Sequence, residues 1–94
     1  MMFYKMNDTI YPASKVKIDK HICTKKDGAG GFITTYGLYL KAWDNDELFD
    51  AIFFHSKDAL DEVFRVICMY VSRGTPLINI DELKERCFTN KEDK

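Results

Sequence analysis

The chain has 94 residues, of which 46% are hydrophobic and 14% aromatic, so it can form one small folded domain but not two. Its 14 basic and 15 acidic side chains almost cancel, and the net charge of -1 points neither to nucleic acid nor to an anionic membrane. No stretch has the length and apolar character of a signal peptide or a membrane span. We therefore expect a cytoplasmic protein without a membrane partner.

The N-terminal segment, residues 1–14, contains one candidate strand. Met2–Met6 is rich in apolar residues and ends at the turn-forming pair Asn7 and Asp8. Pro12 then interrupts regular structure, because proline lacks a backbone donor and restricts the residue before it. The pattern leaves open whether this segment joins the main sheet.

The first long strand predicted by the sequence covers residues 15–24, where apolar and polar side chains alternate. Its apolar face carries Val16, Ile18 and Ile22. The glycine-rich residues 25–31 form a flexible loop. Phe32 then begins a second strand, which continues into a hairpin.

The stretch from residue 36 to residue 55 contains two runs rich in aromatic and aliphatic residues, YGLYLKAW and LFDAIFFH, separated by the turn-forming DNDE. This pattern is typical of a β-hairpin. A two-residue turn at Asn45 and Asp46 would place Leu38 opposite Phe53. Together with the preceding strand, the hairpin predicts a three-stranded antiparallel meander.

This register predicts which side chains face the core, because side chains alternate between the two faces of a strand. The predicted core face carries Tyr36, Leu38, Leu40, Ala42, Phe49, Ala51 and Phe53. The predicted outer face carries Ile33, Tyr39, Lys41, Trp43, Leu48, Asp50 and Ile52, with Lys41 and Asp50 as a cross-strand ion pair. Because this outer face is so apolar, we expect it to be covered by the chain's own termini, a second copy or another partner.

Helical spacing of apolar residues follows the hairpin, in residues 57–73. Ser56 is a preferred N-cap, Gly74 is a typical C-terminal stop, and Pro76 prevents the helix from continuing. We expect this helix to pack across the core face of the sheet.

The C-terminal region is predicted to contain a short second helix. Residues 77–80 fit either an edge strand or an extended link, Asp81 is placed to cap the helix, and residues 89–94 form a frayed tail. The chain as a whole, residues 1–94, is therefore predicted to be a single α+β domain. Its architecture would be a three- or four-stranded antiparallel meander sheet, with one long helix packed on one face and a short C-terminal helix.

The cysteines and histidines predict no chemistry. Cys23, Cys68 and Cys87 are odd in number and far apart, which indicates buried thiols in a reducing compartment rather than a disulfide framework. The chain has no CxxC or HxxxH spacing for zinc. His21 lies two residues from Cys23 on one strand face, a geometry that rarely provides a nucleophile, a base and an orienting group.

Two further patterns resemble ligand sites but have simpler interpretations. The acidic turn at residues 44–50 lacks the glycine and the distal acid of an EF-hand. The loop at residues 25–31 combines lysines with glycines, but it joins two strands rather than opening a helix as phosphate-binding loops do. We expect no enzymatic activity, no cofactor and no metal site.

The outer face is the best candidate for function, because its residues resemble the anchors of protein interfaces. The residues expected to bind a partner are Trp43, Tyr39, Ile52, Leu48 and Ile33. We therefore expect a small non-enzymatic protein-binding module, acting as an adaptor or inhibitor of the kind that phages and mobile elements also encode. Its partner would be another protein or, in a homodimer, a second copy.

The alternative is binding of single-stranded nucleic acid, in which bases stack on aromatic rings beside basic side chains. The candidate contacts to nucleic acid or another anion are Lys15, Lys17, Lys25, Lys26 and Lys41. Asp19 and Asp50 lie on the same predicted face, among aliphatic residues. The sequence therefore favours the protein partner.

Overall fold

A computed structural model of the protein describes residues 1–92 and the side chains of residues 1–86. The predicted α+β class is confirmed. The elements are β1 (Phe3–Met6), β2 (Thr9–Pro12), a 3-10 turn (Ala13–Lys15), β3 (Val16–Lys26), β4 (Phe32–Ala42), β5 (Leu48–Phe54), α1 (Lys57–Ser72), β6 (Leu77–Asn79) and α2 (Ile80–Glu92).

The strands form two sheets of three strands each, and the prediction of one meander is wrong in this respect. The sheet β3-β4-β5 is the antiparallel meander that the sequence predicts. The second sheet has the order β2-β1-β6, in which β1 pairs antiparallel with β2 and parallel with β6. The N-terminal segment therefore joins a sheet, but a separate one.

The β1-β2 hairpin has a two-residue turn whose backbone suits asparagine and aspartate. Asn7 and Asp8 have φ angles of 51° and 62°, as a type I′ turn requires. The carboxylate of Asp81 accepts hydrogen bonds from both backbone amides, at 2.8 and 3.0 Å. Pro12 does not interrupt β2, since it ends an edge strand where a missing donor is tolerated.

Helix α1 begins as the sequence predicts and ends one residue earlier, at Ser72. The Ser56 Oγ atom accepts a hydrogen bond from the Ala59 amide at 3.1 Å. After the helix, Gly74 takes a φ of 70°, the left-handed conformation that commonly follows a helix end. The buried stripe of α1 packs on the sheet and carries Ala59, Leu60, Val63 and Ile67.

Helix α2 begins at Ile80, and its N-terminal cap differs from the predicted one. The Asn79 Oδ1 atom accepts a hydrogen bond from the Glu82 amide at 3.1 Å, so Asn79 rather than Asp81 caps the helix. The helix extends to Glu92. Of the predicted frayed tail, Asp93 and Lys94 lie outside the described residues.

The β4-β5 connection is a five-residue loop, residues 43–47, followed by a β-bulge, and not the predicted two-residue turn. The Ala42 amide donates to the Glu47 carbonyl at 2.8 Å, and the Ala42 carbonyl accepts from the Asp46 amide at 3.2 Å. Asp46 has a φ of 58°, which lets the chain reverse. Beyond the loop, Lys41 lies opposite Leu48 but Leu40 opposite Asp50, so Phe49 is the unpaired bulge residue.

The bulge exchanges the two faces of β5. Leu38 lies opposite Ile52 rather than Phe53. Ile52, predicted on the outer face, is 7% exposed and part of the core, whereas Phe53, predicted in the core, is 49% exposed. These two predictions are wrong because one extra residue in a strand inverts the alternation beyond it.

The predicted ion pair between Lys41 and Asp50 is also absent, because the bulge separates these residues. Lys41 pairs with Asp19 at 3.4 Å. Asp50 accepts hydrogen bonds from the Tyr11 hydroxyl at 2.7 Å and from the Asn7 side-chain amide at 2.8 Å. The Phe49 ring stacks on Tyr11 with centroids 6.4 Å apart. The bulged end of β5 therefore serves as the contact with the N-terminal hairpin.

The core lies where the two sheets and the two helices meet. It contains Tyr4, Met6, Val16, Leu38, Leu40, Ile52, Phe54, Ala59, Leu60, Val63, Ile67, Ile78, Ile80 and Leu83. In the part of the chain that the structure describes, neither helix has the length and apolar character that a membrane crossing requires.

Candidate functional site

The face of the β3-β4-β5 sheet that points away from α1 is the main candidate surface. We call it the outer sheet face. Its members alternate with the buried residues Leu38 and Leu40 along β4 and with their counterparts on the neighbouring strands. They are Lys17, Asp19, His21, Cys23, Lys25, Ile33, Thr35, Tyr39, Lys41, Leu48, Ala51 and Phe53.

Three rings form a contiguous cluster at the centre of the outer sheet face. His21 stacks on Tyr39 with centroids 4.9 Å apart and planes inclined by 19°. Phe53 meets Tyr39 edge to face at 6.1 Å. Both geometries are favourable for aromatic pairs. Because each ring comes from a different strand, the cluster depends on the register of the whole meander.

Gly37 makes room for this aromatic cluster. A Cβ atom at Gly37 would lie 2.7 Å from Tyr39 Cε1 and 3.1 Å from Phe53 Cε1, closer than side chains tolerate. The Tyr39 ring therefore lies over the bare backbone of Gly37, which is itself buried. A glycine covered by aromatic rings on a sheet is a known way to pin strand register.

Gly37→Ala is therefore expected to displace the rings and to lower the free energy of unfolding by about 1–3 kcal/mol, as overpacking does. Urea unfolding measures the loss, and the ring-current shifts of His21 protons report the stacking on Tyr39. In a Tyr39→Ala background the same substitution should cost much less, because the nearest clash is gone. Equal costs in both backgrounds would show that the rings do not lie over Gly37.

Charged residues surround the cluster as ion pairs. Lys17 pairs with Asp46, and Lys41 pairs with Asp19 while its Nζ atom lies 5.7 Å from the centroid of the Tyr39 ring. Hydrogen bonding to Lys17 lowers the pKa of the Asp46 carboxyl below its ordinary value. Two of the five lysines proposed as anion contacts are thus neutralised within the chain.

The other candidate lysines lie away from the cluster. Lys15 ends the exposed 3-10 turn, and Lys25 and Lys26 are near the tip of the β3-β4 hairpin. At this tip the Asp27 carboxylate accepts hydrogen bonds from the amides of Ala29 and Gly31, at 2.8 and 3.0 Å. A carboxylate of the chain itself therefore occupies amides that a bound anion would need.

The predicted partner-binding residues are only partly brought together. Tyr39, Leu48 and Ile33 lie on the outer sheet face, where Leu48 and Ile33 are 51% and 55% exposed. Ile52 is in the core. Trp43 belongs to the β4-β5 loop and lines a groove beside α1 instead. Two residues of the cluster are not among the predicted partner-binding residues: Phe53, which the predicted register placed in the core, and His21, which the sequence places on the outer face without a binding role. Their contacts with Tyr39 depend on pairing between three strands.

The groove beside α1 is a second apolar surface, with a volume of about 940 Å³. The N-terminal hairpin, the start of β3 and one side of α1 form its walls. Its apolar lining includes Met2, Tyr4, Val16, Trp43, Phe64 and Val71. Trp43 and Val71 are exposed, so the groove is open to solvent on that side.

Comparisons with known proteins contribute no assignment. No protein-family model matches the chain, and no curated protein or solved structure has significant similarity to it. Among the side chains of residues 1–86, no three histidine, cysteine or acidic groups converge in a way that could hold a metal ion.

Proposed function

We propose that the protein is a small non-enzymatic binding module that recognises another protein through the outer sheet face. One observation carries the proposal. The cluster of His21, Tyr39 and Phe53 lies on a sheet face that no element of the described chain covers, with exposed Leu48 and Ile33 at its sides. Exposed aromatic and apolar residues grouped on one face in this way usually mark interaction sites.

The composition of the face favours a protein partner. Its centre is aromatic and aliphatic, and its margin carries the ion pairs of Lys17 and Lys41. Protein interfaces commonly have an apolar centre within a polar rim, and tyrosine is among the residues that contribute most binding energy. Because the rings already pack on one another, little side-chain entropy is lost when a partner covers them.

The nucleic-acid alternative receives less support from the same face. Binding to single strands needs basic groups that are available to phosphates beside the stacking rings. Here Lys41, which lies beside the Tyr39 ring, and Lys17, which lies opposite Lys41 on β3, are paired with Asp19 and Asp46. A base stacking on Tyr39 would also have to displace His21.

We assign the protein to the adaptor or inhibitor type, which acts by occupying a surface of a larger protein. A domain of this size presents one binding face and needs no catalytic group for such a role. The thiols of Cys23 and Cys68 are free, but Cys23 is only half-buried and Cys68 is exposed, so the prediction that they are buried is wrong. Unpaired cysteines are consistent with the cytoplasmic location that we propose, because reducing compartments keep them unpaired.

A capture experiment with two charge variants tests the proposal. Immobilised wild-type protein and the variants Phe53→Asp and Ile10→Asp are exposed to the same lysate of the source cells. Ile10 is exposed on β2, outside the outer sheet face, and so provides a matched control. We expect a protein that wild type and Ile10→Asp retain and that Phe53→Asp loses, with affinity reduced at least about 30-fold, as for an interface hot spot.

Circular dichroism and thermal unfolding should first show that Phe53→Asp is folded, as its exposed side chain leads us to expect. A partner that binds Phe53→Asp as tightly as wild type would contradict the proposal. So would a chain whose outer sheet face only associates with the same face of a second copy, which light scattering of the wild type and Phe53→Asp would show.

A further inference from the structure

Strand β3 has a long unpaired edge. Its eleven residues, Val16–Lys26, pair with β4 in an uninterrupted register, and no strand of the described residues pairs with its other side. The strand contains neither proline nor bulge, two of the features that stop a further strand from adding to an edge. Its backbone is therefore suited to pairing with another chain.

The phase of the β3-β4 ladder shows which amides point to this free edge. The Asp27 amide donates to the Gly31 carbonyl at 3.1 Å, in the same register as the rest of the ladder. Because hydrogen-bonded pairs alternate along an antiparallel ladder, the odd-numbered residues of β3 bond to β4. The even-numbered residues direct their N–H and C=O groups away from it: Ile18, Lys20, Ile22, Thr24 and Lys26.

We propose that a second copy of the chain pairs antiparallel with this edge, about a two-fold axis that passes through Ile22. Ile22 then lies opposite Ile22 of the other copy, Lys20 opposite Thr24, and Ile18 opposite Lys26. Each of these even-numbered residues donates one hydrogen bond to the second copy and accepts one from it. The two meanders become one continuous six-stranded sheet, a common mode of strand addition.

The charges along β3 select this register. With Ile22 at the axis, Asp19 lies opposite Lys25 and Lys17 lies opposite Asp27, and the symmetry makes each pair twice. Within its own chain Asp19 pairs with Lys41 and Lys17 pairs with Asp46, so the facing residues of the second copy extend these ion pairs into networks across the edge. Opposite charges on facing residues stabilise paired strands. The half-exposed Ile22 side chains also bury one another on the side of α1.

The registers with the axis one residue to either side place like charges together. An axis at His21 puts Lys17 opposite Lys25, and an axis at Cys23 puts Asp19 opposite Asp27. An axis at Lys20 puts that lysine opposite itself. Lysines on an edge strand normally discourage pairing, but in the proposed register Lys20 faces Thr24 and keeps its 3.3 Å contact with Asp61 of its own chain.

A two-fold axis perpendicular to the sheet leaves both outer sheet faces on the same side of the dimer. The dimer would therefore present two aromatic clusters side by side. A partner with two binding surfaces would be held more tightly than by one copy, because the second contact is intramolecular. This consequence goes beyond the binding function proposed above and does not depend on the identity of the partner.

A backbone substitution separates edge pairing from folding. Ile22→Pro removes an amide that points to the free edge and leaves the β3-β4 hydrogen bonds intact. Ile22→Val is the matched control, because it keeps the amide and the β-branched side chain. In sedimentation equilibrium we expect dimers for wild type and Ile22→Val and a folded monomer for Ile22→Pro. A monomeric wild type, or a dimer of Ile22→Pro, would overturn the proposal.

A charge exchange tests the register. The substitution Lys25→Glu places a glutamate opposite Asp19 of the other copy, and the two-fold symmetry repeats this repulsion. It should weaken dimerisation about tenfold or more. The double variant Asp19→Lys with Lys25→Glu exchanges the charges and should restore the dimer. Thermal unfolding at low protein concentration shows whether each variant folds. Dimerisation that Lys25→Glu leaves unchanged, or that the double variant does not restore, would overturn the register.

Discussion

Ile52→Ala is expected to lower the free energy of unfolding by about 2–5 kcal/mol, because it leaves a cavity among fully packed neighbours. Ile52 is 7% exposed and lies opposite Leu38, which is completely buried. Both residues belong to the core beneath α1. Urea unfolding at neutral pH measures the loss, and an unchanged slope with denaturant would show that the substitution acts on the native state.

Phe53→Ala is the matched control, since it removes a larger side chain from the adjacent position. Phe53 is half exposed, and its main contact is the edge-to-face pair with Tyr39. An aromatic pair of this kind contributes about 0.5–1.5 kcal/mol. A larger loss for Phe53→Ala than for Ile52→Ala would mean that β5 has no bulge and that its two faces are exchanged.

Met6→Ala is expected to cost a similar amount, about 2–5 kcal/mol, for a different part of the fold. Met6 ends β1, is completely buried and belongs to the same core cluster as Leu38 and Leu60. The N-terminal hairpin is therefore part of the single core rather than an appended segment. Thermal and urea unfolding monitored together should show one cooperative transition with a lower midpoint.

Ile10→Ala is the comparison for the N-terminal hairpin, because Ile10 is exposed on β2. Its removal should change the free energy of unfolding by no more than about 0.5 kcal/mol. A small effect of Met6→Ala, equal to that of Ile10→Ala, would contradict the packing of β1 against the core. A separate early transition for the hairpin would contradict it as well.

The elements set by local interactions could be predicted from the sequence. The start of α1 follows from the Ser56 cap, and its end follows from Gly74. The alternation of β3 and the turn-forming cluster before Leu48 predict the meander of β3, β4 and β5. In each case a residue and its near neighbours determine the backbone, so no distant contact is needed.

The register of the hairpin could not be predicted in the same way. Along β5 both sets of alternating residues are largely apolar, with Phe49, Ala51 and Phe53 on one and Leu48, Asp50, Ile52 and Phe54 on the other. Hydrophobic alternation therefore does not choose between the faces. The choice depends on the bulge, where Phe49 stacks on Tyr11 and Asp50 accepts the Tyr11 hydrogen bond.

The second sheet depends on distant pairing and has no local signal. Strand β6 has only three residues, Leu77–Asn79, and pairs in parallel with β1 from the opposite end of the chain. Asp81 resembles a helix cap in the sequence, but it bonds to the turn of the first hairpin. An aspartate can accept backbone hydrogen bonds either as a helix cap or from another segment, and here the tertiary structure determines that Asp81 does the second.

The candidate site could be predicted in part. Tyr39, Leu48 and Ile33 lie on the outer sheet face because they precede the bulge or are unaffected by it. Phe53 lies on this face in place of Ile52, because both residues follow the bulge, which exchanges the two faces of β5. Trp43 does not continue β4, because the strand ends at Ala42 and the loop begins at Trp43. Its side chain lines the groove instead.

A two-dimensional NOESY spectrum of the wild-type protein, read for backbone contacts between β4 and β5, tests the register of the hairpin directly. The bulged register predicts cross-peaks that connect Leu38 with Ile52 and Tyr39 with Ala51, because these residues lie directly opposite one another. Cross-peaks connecting Leu38 with Phe53 and Tyr39 with Ile52 would contradict it. They would remove Phe53 from the outer sheet face and, with it, the aromatic cluster on which the proposed binding function depends.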